Sequence, residues 1–348
     1  MIDFKELKID ALLVAALPNV RYLSKFTGSN ALLLITPDST TLFTDSRYTI
    51  QASQECSCRI MIAPKGPLEL TAVEMIKRKK LKRLGFESSR ISYQAHERLK
   101  GALPLGVSLK PIGPIIEKMR MIKSGDELAR IRRSVLTNSE AFEKTIGSIR
   151  PGVSESAIAA ELEFKMRRLG AEKAAFETIV AAGQRSALPH AQPTGEKLGV
   201  DELLLIDMGS CQNGYMSDMT RTLFVGRPSR QVRSMYKAVL NANLAAIDTV
   251  RAGVTAGQVD RKARQVLESE GLGKSFVHST GHGLGLEIHE SPRIGKKEAT
   301  RLEAGMVITI EPGAYIRGFG GIRIEDTVLV TKHGCEVLTP TSKELILL

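Results

Sequence analysis

The chain has 348 residues, 43% hydrophobic and 25% charged, a balance that belongs to soluble globular proteins at a length sufficient for two domains. Its formal charge is +11, from 49 basic and 38 acidic side chains, but the densest basic run, Lys77-Arg78-Lys79-Lys80-Leu81-Lys82-Arg83, ends an expected helix and contains no aromatic residue; cations there complement the helix dipole, and no nucleic-acid partner is expected. No apolar stretch approaches the roughly 20 residues of a membrane span, and residues 1–6 mix charges and lack the apolar core of a signal peptide, so none is expected.

Ala11–Ala16, Ala31–Thr36, Thr41–Thr44 and Ser57–Ala63 read as strands, and Ser46–Gln54 and Leu68–Lys79 as helices. Pro37-Asp38 turns between two of the strands. These elements make an α/β domain that ends near residues 111–122, which sets domains at 1–122 and 123–348. Cys56, Cys58, Cys211 and Cys335 are scattered, and Cys56-Ser57-Cys58 is too tight for an ordinary disulfide. Free thiols in a reducing cytoplasm are expected. The second domain opens on a capping box, Ser124 at the N-cap and Glu127 three residues into the helix. Leu128, Ile131, Val135 and Phe142 form the apolar stripe of the helix that follows, and Pro151-Gly152 ends it.

This second part repeats itself. Ile149-Arg150-Pro151-Gly152-Val153-Ser154 matches Val250-Arg251-Ala252-Gly253-Val254-Thr255, 101 positions later. Each copy follows one helix and opens another, which ends at Gly170 or Gly271. Leu205-Ile206-Asp207-Met208-Gly209 answers Thr309-Ile310-Glu311-Pro312-Gly313, and Ser217-Asp218-Met219-Thr220 answers Ile324-Glu325-Asp326-Thr327. Two helices and a carboxylate-bearing strand pair per half imply an α+β domain with an internal pseudo-two-fold duplication.

The carboxylates stand in apolar, strand-like surroundings, where an ionised group is costly unless a cation meets it. Asn213-Gly214 is a two-residue hairpin turn; it sets Gly209 against Asp218 and Met208 against Met219, and puts Asp207 and Asp218 on one face as diagonal neighbours. Residues 306–311 and 321–330 form a second strand pair bearing Glu311 and Glu325. Arg323 beside Glu325 reads as a cation that holds that carboxylate ionised and oriented. His278, His282 and His289 fall in a glycine-rich run, His278 to Glu290, and His190 follows Leu188-Pro189 in the first half. Four carboxylates with one imidazole, Asp207, Asp218, Glu311, Glu325 and His282, suit two divalent metals, Mn²⁺ or Co²⁺ ahead of Zn²⁺. Such a pair generates hydroxide at neutral pH.

Residues 125–348 resemble the pita-bread metallopeptidases, in the prolidase and aminopeptidase P branch. The likeness rests on five motifs in order: Phe176-Glu177-Thr178-Ile179-Val180 with Leu188-Pro189-His190; Ile206-Asp207 to Thr222; His278–Glu290; Thr309-Ile310-Glu311-Pro312-Gly313; and Gly321-Ile322-Arg323-Ile324-Glu325-Asp326. Val20-Arg21-Tyr22-Leu23-Ser24 and Thr44-Asp45-Ser46-Arg47-Tyr48 extend it to a creatinase-like front domain. Ala191 departs from the glycine common in relatives.

The resemblance implies that Asp207 chelates one metal, His282 and Glu311 the other, and that Asp218 and Glu325 bridge them. A hydroxide between the metals would attack the scissile carbonyl, with Glu311 as proton shuttle. His289 and His190 would steady the carbonyl oxygen and the tetrahedral intermediate, His278 would line the pocket, and Arg323 and Thr220 would stand behind the ligands. The bond cut would precede proline. Arg293 matches a carboxylate-binding arginine of short prolidases, which favours Xaa-Pro dipeptides over the longer peptides of an aminopeptidase P. A non-catalytic peptide-binding module is the remote alternative, although such modules lose ligands that this chain retains. A cytoplasmic homodimer is the family expectation.

Overall fold

A computed structural model describes residues 2–348, which divide into two units between Arg120 and Met121. The first runs β1 (Ala11–Val14), α1 (Leu17–Ser24), β2 (Ala31–Thr36), β3 (Ser39–Thr44), α2 (Thr49–Glu55), β4 (Arg59–Ile62), α3 (Leu68–Arg78), β5 (Arg83–Glu87), α4 (Tyr93–Ala102), β6 (Ser108–Ile112) and α5 (Ile115–Met121). The Ala-Leu-Leu-Val of β1 has no polar residue because it lies inside a six-stranded sheet of order β4-β3-β2-β1-β5-β6. Strand alternation divides its side chains between two apolar layers. Leu13, Leu32, Leu34 and Phe43 pack with Ala72, Val73 and Ile76 of α3. Leu12, Val14, Leu33 and Leu42 pack with Val20 of α1 and Ala52 of α2. The expected Pro37-Asp38 turn joins β2 and β3, with Thr36 opposite Ser39. The helix expected from Ser46 starts instead as a 3₁₀ turn, Ser46–Tyr48, capped by the Asp45 side chain.

The second unit continues with α6 (Gly125–Ile146), α7 (Glu155–Arg168), β7 (Lys173–Ala174), β8 (Ile179–Ala182), β9 (Glu202–Met208), β10 (Ser210–Gln212), β11 (Tyr215–Met216) and β12 (Met219–Val225). Then come α8 (Arg230–Thr249), α9 (Ala256–Ser269), β13 (Gly281–Gly283), β14 (Glu290–Ile294), β15 (Val307–Ile310), β16 (Gly313–Ile316), β17 (Gly320–Arg323), β18 (Asp326–Val330), β19 (Cys335–Val337) and β20 (Ile346–Leu347). The capping box of α6 forms as expected: Glu127 N donates to Ser124 Oγ, and Ser124 N donates to the Glu127 carboxylate.

The duplication is visible bond by bond. Gly152 and Gly253 share a positive φ of 89°, and their amides donate to the carbonyls of Leu198 and Leu302 at 2.7 and 2.8 Å. Ser154 and Thr255 cap α7 and α9 through matching side-chain bonds. From the long helix of each half a fully buried asparagine reaches the backbone of the carboxylate strand. Asn138 donates to Met208 O, and Asn243 to Ile310 O, each at 2.9 Å. Each half has its own apolar cluster, one built on Phe142, Leu162 and Ile206, the other on Val239, Val259 and Ile308.

The halves meet along β12. Thr222 and Arg323 exchange two hydrogen bonds, Glu325 N donates to Thr220 O at 3.1 Å, and Thr327 Oγ1 donates to Asp218 O at 2.9 Å. The register of β9 and β12 is the expected one, Met208 opposite Met219, turned at Asn213 and Gly214 with φ of 52° and 77°. Neither strand pair is continuous, however. The first breaks at Gly209 and Ser217-Asp218, where a Cβ on Gly209 would collide with the Ser217 carbonyl. The second, expected as one pair over 306–311 and 321–330, splits: β15 pairs with β18, while β17 turns to pair with β16. Pro312 lacks the N–H a continuing ladder would need, so Glu311 and Glu325 sit at the break rather than within strands.

Asn243 also donates to Ile324 O, at 3.2 Å, and so ties both sides of that break to α8. Asn243→Ala should destabilise the unit by about 1–3 kcal/mol, the cost of leaving buried carbonyls without their donor. Urea unfolding followed by circular dichroism measures it; a change below experimental error would show that those carbonyls find other partners.

Candidate metal centre

The interrupted strands bring polar side chains to one place. Asp218 and Glu325 are 5% and 1% exposed, and with His282 they offer ligand atoms all within 4.8 Å of one another, a spacing able to hold one metal ion. His282 Nε2 lies 3.5 Å from Asp218 Oδ2 and 3.6 Å from Glu311 Oε1. Its Nδ1 lies 3.0 Å from Gly283 O; donation there leaves the Nε2 lone pair facing the carboxylates. Asp207 is held from the other side, where Arg323 Nη2 donates to its Oδ2 at 2.6 Å.

Negative charge dominates the centre. At an effective dielectric near 20, two like charges about 4 Å apart repel by roughly 4 kcal/mol. Burial raises the Asp218 carboxyl well above the usual range, and the charges of Asp207 and Glu311 raise it further. Burial, then Asp218, does the same to Glu325. Glu311 is raised by burial against the opposing pull of His282 and Arg323. Asp207 Oδ1 and Glu325 Oε1 are buried without a hydrogen-bond partner. Oxygen donors left bare, with one imidazole among them, fit divalent cations of hard to intermediate character.

Three further histidines, His289, His278 and His190, stand around this group. The His289 ring meets His282 edge to face, centroids 4.4 Å apart; partial burial, then His282 and His190, hold its pKa below the ordinary value. His278 is pushed down to about 4, chiefly by burial and then by Arg323, so it is neutral. Its Nδ1 lies 2.8 Å from Ser279 O, and its Nε2 lies 2.8 Å from Tyr315 Oη, which in turn accepts from Arg323 Nη1 at 2.8 Å. His190 is exposed and near enough to bear on both His278 and His289. Arg293, also exposed, stands directly opposite His282 in the β13–β14 ladder.

Arg323 does not pair with Glu325, as its place in the sequence suggested. Residues two apart share a face only while the strand persists, and the chain breaks between them. Arg323 binds Asp207 and reaches Glu325 through Thr220, whose Oγ1 accepts from Arg323 Nε at 2.9 Å and donates to Glu325 Oε2 at 2.7 Å. Sequence reasoning missed Tyr315 and Arg221. Tyr315 pairs across the ladder with Gly321, a gap that only the fold reveals. Arg221 alternates with Thr220 along β12 and so points away from the carboxylates; 1% exposed, it binds Asp326 at 2.9 Å and the carbonyl of Glu325.

Residues 129–332 match the model of metallopeptidase family M24, and residues 3–122 match that of the creatinase/prolidase N-terminal domain. The chain belongs to metallopeptidase family M24. Membership implies divalent metal ions, in keeping with the donor set. An Xaa-Pro dipeptidase of Pyrococcus horikoshii is 40% identical to this M24 chain, over 97% of it and 95% of the relative. A solved structure of an Xaa-Pro dipeptidase from Bacillus anthracis is 38% identical with a TM-score of 0.96, covering 99% of this chain and 97% of the other. An X-Pro aminopeptidase structure from Thermotoga maritima is 36% identical with a TM-score of 0.93, covering 99% of each chain.

The raised carboxyls make metal affinity depend on pH. In chelated protein they stabilise the fold below their unfolded values, near pH 4–4.5, roughly; that contribution is lost as pH rises through the higher folded values. Metal binding needs the ionised forms. The rise in Tm on adding Mn²⁺ should therefore be larger at about pH 8 than at about pH 5, as read by scanning calorimetry. Equal gains would show that the carboxyls ionise without hindrance in the metal-free protein.

Proposed function

We propose that the protein is a metal-dependent peptidase that hydrolyses the bond before proline in Xaa-Pro dipeptides. The observation that carries the reading is the convergence of Asp218, Glu311 and Glu325, carboxylates that repel one another around the His282 imidazole, with one Glu325 oxygen buried without a partner, in a chain matched along nearly its whole length by Xaa-Pro dipeptidases. Asp207 would hold one ion, His282 and Glu311 the other, and Asp218 and Glu325 both. Mn²⁺ or Co²⁺ suits this oxygen-rich set better than Zn²⁺. When bound, the ions supply Lewis acidity and acidify a water molecule.

The chain's own residues do the rest. Glu311 would take up a proton on its carboxylate from the attacking water and pass it to the leaving nitrogen. His289 and His190 donate N–H bonds to the substrate carbonyl oxygen as charge develops on it. His278, kept neutral and oriented by Tyr315, lines the pocket. The amide nitrogen of an Xaa-Pro bond bears no hydrogen, so the leaving side needs room for a ring rather than an acceptor. Directly opposed residues of a ladder share a face, so Arg293 stands on the side of His282, where the free carboxylate of a dipeptide would arrive. This favours the dipeptidase over an X-Pro aminopeptidase, the second reading, which the likeness to the Thermotoga maritima structure keeps in view. The cytoplasm and a homodimer are the setting proposed with it, on the family expectation.

Metal analysis of the purified protein, with hydrolysis of Met-Pro compared with Met-Pro-peptides, tests the reading. Asp218→Ala and Glu325→Ala should each abolish turnover and lower metal content, because two close cations would be left under-neutralised. A fully active variant without bound metal would overturn the assignment.

Arg293→Ala should weaken dipeptide cleavage by about 1.5–3 kcal/mol in kcat/KM, the worth of hydrogen bonds to charged groups. Tripeptides with proline second, which place a neutral amide there, should lose little. Equal losses on matched di- and tripeptides would make Arg293 structural and move the balance to the aminopeptidase.

A further inference from the structure

An ion pair removed from the metal centre is buried more completely than most of the ligands. Lys123 Nζ lies 2.9 Å from Glu290 Oε2, with the two side chains 2% and 5% exposed. Isolated charges are not buried so deeply without a partner, and both ends of this pair are anchored. The Lys123 amide donates to Gly305 O at 2.9 Å, and Ile122 beside it bridges to Met306 at the edge of β15, the strand that leads to Glu311. At the other end, Glu290 opens β14 opposite Gly283.

The Glu290 carboxylate closes the turn that precedes it. Its Oε1 accepts from Glu287 N at 3.1 Å, and Gly285 N donates to Glu287 O at 3.1 Å. Gly285 is bare where it faces this group, since a Cβ there would come 2.7 Å from Glu290 Oε1. The turn is tied to the first half as well, because Met216 N donates to Gly285 O at 2.8 Å, two residues before Asp218. His289 is the last residue of the turn and the neighbour of Glu290; exposed and packed on one side against His282, it depends on the turn for its placement.

We propose that the buried Lys123–Glu290 pair is a positioning device for His289: Lys123 holds the Glu290 carboxylate, the carboxylate closes residues 284–290, and the closed turn presents the imidazole beside His282. Both residues act through His289 and touch no reacting atom. The role of His289 in turnover rests on the Xaa-Pro peptidase reading; its placement by the pair does not.

The test is a double-mutant cycle with metal content and Tm recorded throughout. Lys123→Met, which keeps the stem and removes the charge, should lower kcat on an Xaa-Pro dipeptide by about 10²-fold, the effect of displacing a catalytic group by about 1 Å, at unchanged metal occupancy. Lys123→Arg should recover much of the loss. In a His289→Ala background Lys123→Met should cost little more, because the group it positions has gone. Equal losses in both backgrounds, or a fall in metal content in step with activity, would overturn the proposal. Should Lys123→Met not fold, Glu290→Gln, which keeps the shape and removes the charge, takes its place in the cycle. The imidazole resonances of His289, followed by NMR in the metal-free protein, give a readout independent of turnover. They should shift and broaden in Lys123→Met, and unchanged resonances would refute the positioning role even if the protein cleaved no Xaa-Pro dipeptide.

Discussion

Mutual repulsion among buried carboxylates is the constraint on which the second unit is built. Asp218, Glu311 and Glu325 are withdrawn from water and face one another and Asp207, so each holds the next away from its ionised form. Arg323 offsets part of that charge at Asp207, and Thr220 satisfies one oxygen of Glu325. What remains calls for cations. A protein that sets like charges so close has exchanged stability of the metal-free fold for affinity, which is why the oxygens left without partners mark the centre more clearly than any single distance.

Duplication supplies the means of bringing these groups together. Each half offers an interrupted carboxylate strand pair braced by an asparagine from its long helix, and the two meet where the ladders fail. At the breaks other bonds cross the join instead: Glu325 N donates to Thr220 O, and the Thr327 side chain donates through Oγ1 to Asp218 O. A continuous ladder would have aimed successive side chains at opposite faces; the breaks let Asp218 and Glu325 face the same space as His282. Arg221, from the far side of β12, holds the carbonyl of Glu325 and the carboxylate of Asp326, so the position of the break is itself fixed by a buried cation.

The same division of labour extends to the histidines. His282 is oriented by a backbone carbonyl and His278 by a chain through Tyr315 to Arg323, whereas His289 has an exposed ring at the end of a turn closed by Glu290. Strands and the breaks that interrupt them carry the groups proposed to hold metal, and a pinned turn carries the group proposed to meet substrate. Pre-organisation of that kind lets an imidazole face developing charge without reorganising as it forms.

Much of this was legible in the residues. The hydrophobic run of β1, the Asn213-Gly214 turn and its register, the capping box of α6 and the matched halves are local signals, written in spacing and turn chemistry, and each recurs in the structure. The five candidate ligands were legible because carboxylates in apolar surroundings have no cheap alternative to a cation. What the chain order could not show was which strand stops where. Arg323 lies two residues from Glu325 yet binds Asp207, 116 positions away, because the break at residues 324–325 turns the backbone between them. Lys123 and Glu290, 167 positions apart, have nothing in their neighbours to announce a pair, and Arg221 and Tyr315 look unremarkable in sequence. Local patterning determined the elements and the ligand chemistry; long-range burial, which decides which polar groups must satisfy one another, determined the partners.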